Sequence, residues 1–207
     1  MIAIVDYGSG NIQAIKNIYN KLKVDSYFAK NPEDLSKATH IILPGVGAFD
    51  EAMTQLNESG MREALDKAIL IKKIPVLGVC VGMQIMANKS DEGELSGLGW
   101  FNARVRRFDV NSITHKPKIP HLGWNEIEPT KEHPIMNNID NEKGFYFLHS
   151  YYFDCAEMDD VLLNTTYGIN FNCAINKGNI FGFQFHPEKS HSNGVNLFEN
   201  FAGLQLC

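Results

Sequence analysis

The chain has 207 residues, 44% of them hydrophobic and 21% charged, which suits one compact domain, residues 1–207, with a substantial buried core. A formal net charge of -5 gives no electrostatic footprint for nucleic acid or an anionic membrane, and the short basic cluster Arg104, Arg106, Arg107 reads as a solvated strand face. Cys80, Cys155, Cys173 and Cys207 form no C-x-x-C pair, which argues against a zinc knuckle or a dithiol couple and for reduced thiols in the cytoplasm.

The opening MIAIVDYGSG lacks a basic leader and carries Asp6 inside its apolar run, so it reads as a first strand, Ile2 to Tyr7, and not as a secretory signal. No apolar run approaches the roughly 18 residues that a membrane span requires. Ile12, Ile15, Ile18, Tyr19 and Leu22 fall at helical spacing and predict a helix from about Asn11 to Lys23 with one apolar stripe. Short strands are expected at Ser26 to Ala29 and His40 to Leu43, separated by the turn and short helical piece NPEDLSKA. Helices at Phe49 to Gln55 and Arg62 to Lys72, a strand at Ile74 to Val79 and a helix from Val81 to about Asn88 complete an alternation that requires a parallel sheet.

After Trp100 the pattern changes. ARVRRF, LGWNEI, FYFLHSYYF and INFNCAI-NKGN-IFGFQF are strand-like, with NKGN (Asn176 to Asn179) as a hairpin turn, and a terminal helix covers Gly194 to Leu204. A parallel first half is thus joined to antiparallel strands in the second.

Chemistry concentrates in LGVCVGMQ, where Gly78 and Gly82 bracket Cys80 at a strand-to-helix junction. Such a turn holds a nucleophile out of the sheet, and the amino end of the following helix favours a thiolate. The Val81 N–H there is one half of an oxyanion hole, and the glycine-bearing loop LPGVGAFD, at the same sheet edge, is the candidate for the second donor. GFQFHPEKS supplies a base, His186, and two residues on a carboxylate, Glu188; Pro187 is expected to keep the segment extended so that both face one way. Together they form a Cys, His, Glu triad. GVCVG alone also fits a buried small hydrophobe, and HPE alone a surface turn. GSGNIQ and GVGAFD fail as dinucleotide fingerprints, with Gln13 and Asp50 where the third glycine would stand, and no Walker-type lysine is present.

PGVG, GVCVGMQ and QFHPEKS, in this order and spacing, resemble the triad-type (class I) glutamine amidotransferases; DYGSGN, IPHLGWN and FYFLHSYY narrow the resemblance to the glutaminase subunits of imidazole glycerol phosphate synthases. The resemblance covers essentially the whole chain. It implies an α/β, flavodoxin-like fold: a parallel central sheet flanked by helices, with additional antiparallel strands. It also implies hydrolysis of glutamine through a thioester on Cys80, with His186 as base and Glu188 as its orienter, and no cofactor or metal. Backbone groups of Val46 and Val81 would form the oxyanion hole. Gly45, Gly47, Gln84, Glu92, Ser150 and Tyr151 would bind glutamine; for Gln84 the bland alternative is an exposed helix residue.

The implied partner is a barrel-shaped cyclase subunit, which captures the ammonia in a heterodimer and is faced by Asn11, His121, Trp124, Asn125, Tyr146 and Lys189. Trp124 also fits a core aromatic, and Lys189 a solvated charge. Val81 stands where the family more often has leucine, and His191 where glutamine is frequent. These departures keep a paralogue in view, one that supplies ammonia for sugar amidation in surface-polysaccharide synthesis. A catalytically silent flavodoxin-like binding module would instead lack Cys80, His186 or Glu188, and all three are present.

Overall fold

The computed structural model describes residues 1–114 and 118–205, so the expectation for Cys207 lies outside the described residues. Strands β1 (Ile2–Val5), β2 (Ser26–Ala29), β3 (His40–Gly45) and β4 (Val76–Cys80) alternate with α1 (Ile12–Leu22), a 3-10 turn at Pro32–Lys37, α2 (Phe49–Glu58) and α3 (Met61–Asp66). The helix α4 (Val81–Gln84) follows β4 directly. Beyond it lie β5 (Lys89–Ser90), β6 (Ala103–Arg107), β7 (His121–Asn125), β8 (Glu128–Pro129), β9 (Phe145–His149), β10 (Tyr151–Cys155), β11 (Val161–Tyr167), β12 (Ile169–Lys177), β13 (Ile180–Phe183) and α5 (His191–Gly203).

One sheet runs in the order β2-β1-β3-β4-β13-β12-β10-β6-β5, with β11 on β12 and β8 on β11, while β7 and β9 form a separate antiparallel ribbon. β2, β1, β3, β4 and β13 are mutually parallel. β1, β4 and β13 are buried along their whole length, as strands covered on both faces must be, and this explains their unbroken apolar runs. β13 therefore joins the parallel core although it comes from the second half of the chain, and β12 turns the sheet antiparallel beside it. The hairpin lies where NKGN predicts it: Lys177 pairs with Ile180, and Gly178 takes the positive φ (+56°) that a two-residue loop needs. On α1, Ile15 and Tyr19 are buried, and the Tyr19 ring meets Phe198 of α5 edge-on at 5.4 Å. The basic cluster is a paired outer face, with Arg104 on Asp91 and Arg106 on Asp154.

Several boundaries differ from expectation, among them β1, which ends at Val5, α2, which runs on to Glu58, and β4, which spans Val76–Cys80. α4 ends at Gln84 and not near Asn88, because the carbonyls of Ile85, Met86 and Ala87 accept from Leu98, Trp100, Phe101 and Gly99 and so are withdrawn from a helical ladder. The helix expected at Arg62 to Lys72 begins at Met61 and passes into a π-helical turn at Lys67–Ile71. The terminal helix starts three residues early, at His191. FYFLHSYYF breaks at Ser150 into β9, which pairs with β7, and β10, which pairs with β6. Among the described residues no helix is long and apolar enough to cross a membrane.

Candidate active site

Glycine in the core sequence sets the geometry of the site. Parallel register puts Gly45 of β3 level with Cys80, and Gly182 of β13 level with Gly78. A Cβ added at Gly82 would stand 1.9 Å from the Leu43 carbonyl oxygen, and one at Gly45 would stand 2.4 Å from the Gly82 nitrogen. At Gly78 the obstacles are the Met86 methyl at 2.6 Å and the Gly82 carbonyl oxygen at 2.8 Å. The single turn of α4 thus rests on bare main chain, and this explains why glycines bracket the cysteine. The close seating holds Cys80 at φ +55° and ψ -114°, a conformation that side-chain-bearing residues rarely adopt and that persists only where surrounding contacts over-determine it.

Cys80 lines a cavity of about 320 Å³ with Val46, Gly47, Gln84, Glu92, His149, Ser150, Tyr151, His186 and Lys189 among its walls. That volume is at the lower end for ligand sites and suits a single amino acid. His186 Nδ1 pairs with Glu188 Oε1 at 2.9 Å, and Cys80 lies beside the same imidazole at the cavity wall, close enough to raise its pKa. Burial opposes charge on His186, but the neighbouring Cys80 and Glu188 outweigh it and raise the imidazole to about 10, so the ring is an imidazolium at neutral pH. The Glu188 side chain is 2% exposed, and its second oxygen is buried with no hydrogen-bond partner among the described residues, so the contact through which the carboxylate reaches into the site is its bond to His186.

The expected extended His-Pro-Glu segment is a correction: only His186 is extended, and Pro187–Lys189 forms a 3-10 turn. Pro187 stands at its first position, where a preset φ and a missing N–H favour the turn, and Glu188 therefore reaches back to His186 around a bend. Ser190 anchors that bend. Its hydroxyl donates to the His186 carbonyl at 2.7 Å and accepts from the Tyr146 N–H at 3.0 Å.

Val81 opens α4, where the N–H has no intrahelical acceptor, and it lines the cavity. Val46 is different. Its N–H donates to the Ser9 hydroxyl at 2.9 Å, and that hydroxyl donates back to the Val46 carbonyl at 3.0 Å. The second oxyanion donor expected at Val46 is therefore engaged elsewhere in this structure, by a side chain 37 residues away in sequence. Gly45 is also corrected: it is buried beneath α4 and supports the turn, whereas Gly47, at φ +87°, lines the cavity.

Gln84 is buried, not an exposed helix residue, and its Nε2 donates to the Tyr151 carbonyl at 3.2 Å and to Gln184 Oε1 at 2.9 Å. Glu92 Oε2 accepts from Phe49 N–H at the start of α2, while Asp50 of α2 accepts from the N–H groups of Glu94 and Leu95. This reciprocal clasp fixes the Glu92 loop at the cavity wall.

The residues expected to face a partner divide by strand parity. Trp124 is 43% exposed and stacks flat on His191 at 5.4 Å, so it is not a core aromatic. Exposed Lys189 extends over the Tyr146 ring at 5.7 Å, and Asn11 is exposed just before α1. His121 points the other way, 2% exposed between the rings of Phe147 and Tyr167, so it cannot itself form a contact surface. Asn125 donates to the Thr166 carbonyl and to His121 Nε2.

His149 completes that inner face. Its Nδ1–H donates to the Tyr151 carbonyl at 2.7 Å, which leaves Nε2 as the acceptor for His121 Nδ1–H at 3.0 Å. Burial, then the neighbouring His121, lowers His149 to about 3, so it is neutral beside the His186 imidazolium. Between about pH 6.5 and 3 the unfolded chain binds a proton at this position that the folded chain refuses, so stability falls with acidification by up to about 1.4 kcal/mol per pH unit from this group. His149→Gln is expected to remove that component. Urea unfolding from pH 7 to 4 checks it: parallel pH dependences in the two proteins would contradict a neutral buried His149.

Comparison with known proteins places these features. The glutamine amidotransferase class-I family model matches residues 3–203. The imidazole glycerol phosphate synthase subunit HisH of Leptospira interrogans is 48% identical over 204 residues, covering 99% of this chain and 100% of that one. The subunit of the same name from Bdellovibrio bacteriovorus is 50% identical over 204 residues, with the same coverage. The crystal structure of a glutamine amidotransferase from Thermotoga maritima superposes with a TM-score of 0.65 at 16% identity, over 96% of this chain and 82% of that one, a likeness of fold.

Proposed function

The chain belongs to the class I glutamine amidotransferases, and on that footing we propose that it is the glutaminase subunit of an imidazole glycerol phosphate synthase, a single amidotransferase domain working in the cytoplasm. The observation that carries the reading is His186 paired with Glu188 and set beside Cys80 at the wall of an amino-acid-sized cavity. Cys80 sulfur attacks the side-chain amide carbon of glutamine, and the oxyanion is met by the Val81 N–H. The His186 imidazolium protonates the leaving nitrogen, the C–N bond breaks and ammonia departs, leaving a thioester. His186 then takes a proton from water as the water attacks the thioester, and glutamate leaves with the thiolate restored. Glu92 and the Gln84 carbonyl oxygen suit the substrate ammonium, and Gly47 and the Ser150–Tyr151 backbone suit its carboxylate.

The ammonia passes to a cyclase subunit docked over the β7–β9 ribbon, where Trp124, Tyr146 and Lys189 are the contacts we assign, with Asn11 and Asn125 at the margin. With Val46 held by Ser9, one oxyanion donor remains, and absence of a second costs about 10²–10³ in turnover. We therefore expect the isolated chain to hydrolyse glutamine slowly, and a histidine-pathway cyclase carrying its ribulosyl nucleotide to raise the rate by about that factor. Glutamate release is measured with the chain alone, with cyclase, and with cyclase plus nucleotide. Stimulation only by a cyclase homologue of sugar amidation would replace this acceptor with the surface-polysaccharide one.

A further inference from the structure

Gln184 is not among the residues expected at the site, yet it is wholly buried against the nucleophile. It lies one residue beyond β13, and the register of Phe183 with Val79 brings it level with Cys80. Its backbone N–H is fixed on the Cys173 carbonyl at 2.9 Å, so the strand pair sets the position of the side chain. Gln184 Nε2 donates to Cys80 Sγ at 3.8 Å, and Gln184 Oε1 accepts from Gln84 Nε2 at 2.9 Å.

We propose that Gln184 is a catalytic residue with two linked tasks: its N–H steadies the Cys80 thiolate, and its carbonyl fixes the orientation in which Gln84 meets glutamine. The inference rests on Cys80 being the nucleophile. A thiolate only accepts hydrogen bonds, so the Gln184 nitrogen must face the sulfur and its oxygen must face Gln84. That oxygen demands a donor. The Gln84 nitrogen supplies one hydrogen to it and the other to the Tyr151 carbonyl, so both of its hydrogens are spent within the protein. Only the Gln84 carbonyl oxygen is left to face the cavity, as an acceptor for the substrate ammonium. The polarity of the nucleophile is thereby read out at the substrate end of the site through two carboxamides. When the thioester forms, sulfur loses its charge and the Gln184 bond weakens; when the thiolate is released it is regained, which favours deacylation.

The test is Gln184→Met, which keeps the length of the side chain and removes its amide. Three quantities are read: the rate of Cys80 alkylation by iodoacetamide, KM and kcat for glutamine in complex with the cyclase, and the thermal midpoint, which reports that the variant is folded. Alkylation is expected to slow about tenfold and KM to rise about tenfold, the size of one lost bond to a charged or substrate-facing group. Unchanged alkylation and KM in the folded variant would overturn the proposal. Should the variant fail to fold, the wild-type chain labelled with ¹⁵N-glutamine decides: the assigned side-chain carboxamides of Gln184 and Gln84 are expected to shift when Cys80 is carbamidomethylated, and stationary signals would overturn it. Glutaminase activity surviving in Cys80→Ala would instead defeat the nucleophile assignment itself, a separate result.

Discussion

Cys80→Ala is expected to lower glutamine hydrolysis by at least about 10⁴-fold while the cyclase complex still makes product from added ammonium salts. The substitution removes the sulfur and little else. Cys80 is 4% exposed and its backbone is held by the glycine contacts of α4, so the fold and the β7–β9 ribbon are expected to stay as they are. In the proposed complex ammonia capture is the cyclase's chemistry and needs no thiol on this chain. Retained glutamine turnover would exclude Cys80 as nucleophile. A glutamine-like chloroketone is expected to label Cys80 in preference to Cys155 and Cys173, both of which burial holds in the unreactive thiol form. Peptide mapping reads this directly.

The next largest effect is expected at Glu188. Glu188→Gln preserves shape and can still accept from His186 Nδ1, yet it withdraws the negative charge that offsets the burial penalty on the imidazolium. The other Glu188 oxygen has no hydrogen-bond partner among the described residues, so His186 is the side chain this carboxylate bonds and the one its loss strikes first. Turnover should drop by about 10²–10⁴, short of the loss at Cys80, because the amide still orients the ring. The sign of the pH effect follows. With the carboxylate gone, His186 gives up its proton at lower pH than the wild-type value of about 10, so activity that depends on the imidazolium retreats from the alkaline side. Rates measured from pH 6 to 10 check both size and direction, and an unchanged rate would make Glu188 a bystander.

Much of this site was legible in the sequence because its parts are local. Cys80 between Gly78 and Gly82 and the pair His186 and Glu188 are short-range patterns whose chemistry demands those residue types. What escaped was long-range. Ser9 takes the Val46 N–H across 37 positions, and the carbonyls that would have extended α4 are claimed by residues 98–101; neither leaves a mark in the local pattern. The parity of HLGWN does leave one: alternation from exposed Trp124 puts His121 on the inner face. Gln184 left a signal too, a lone amide in the apolar run IFGFQF, on the side of the strand that carries Gly182. A polar residue with no route to solvent needs buried partners, and here they are Cys80 and Gln84. Ser150 had no such signal, since FYFLHSYYF is uniformly strand-forming and only the divergence of β9 and β10 shows the break.

The seating of α4 on bare main chain also has a mechanical meaning. Side chains in contact can change rotamer and absorb a displacement, but at Gly45, Gly82 and the Leu43 carbonyl there is no rotamer to yield. A shift of the loop at residues 45–47 is handed to Cys80 undamped, and a push on Cys80 returns to the loop in the same way. Cys80 and the loop that carries the exposed Val46 are therefore coupled through main-chain contacts, with no side-chain slack between them.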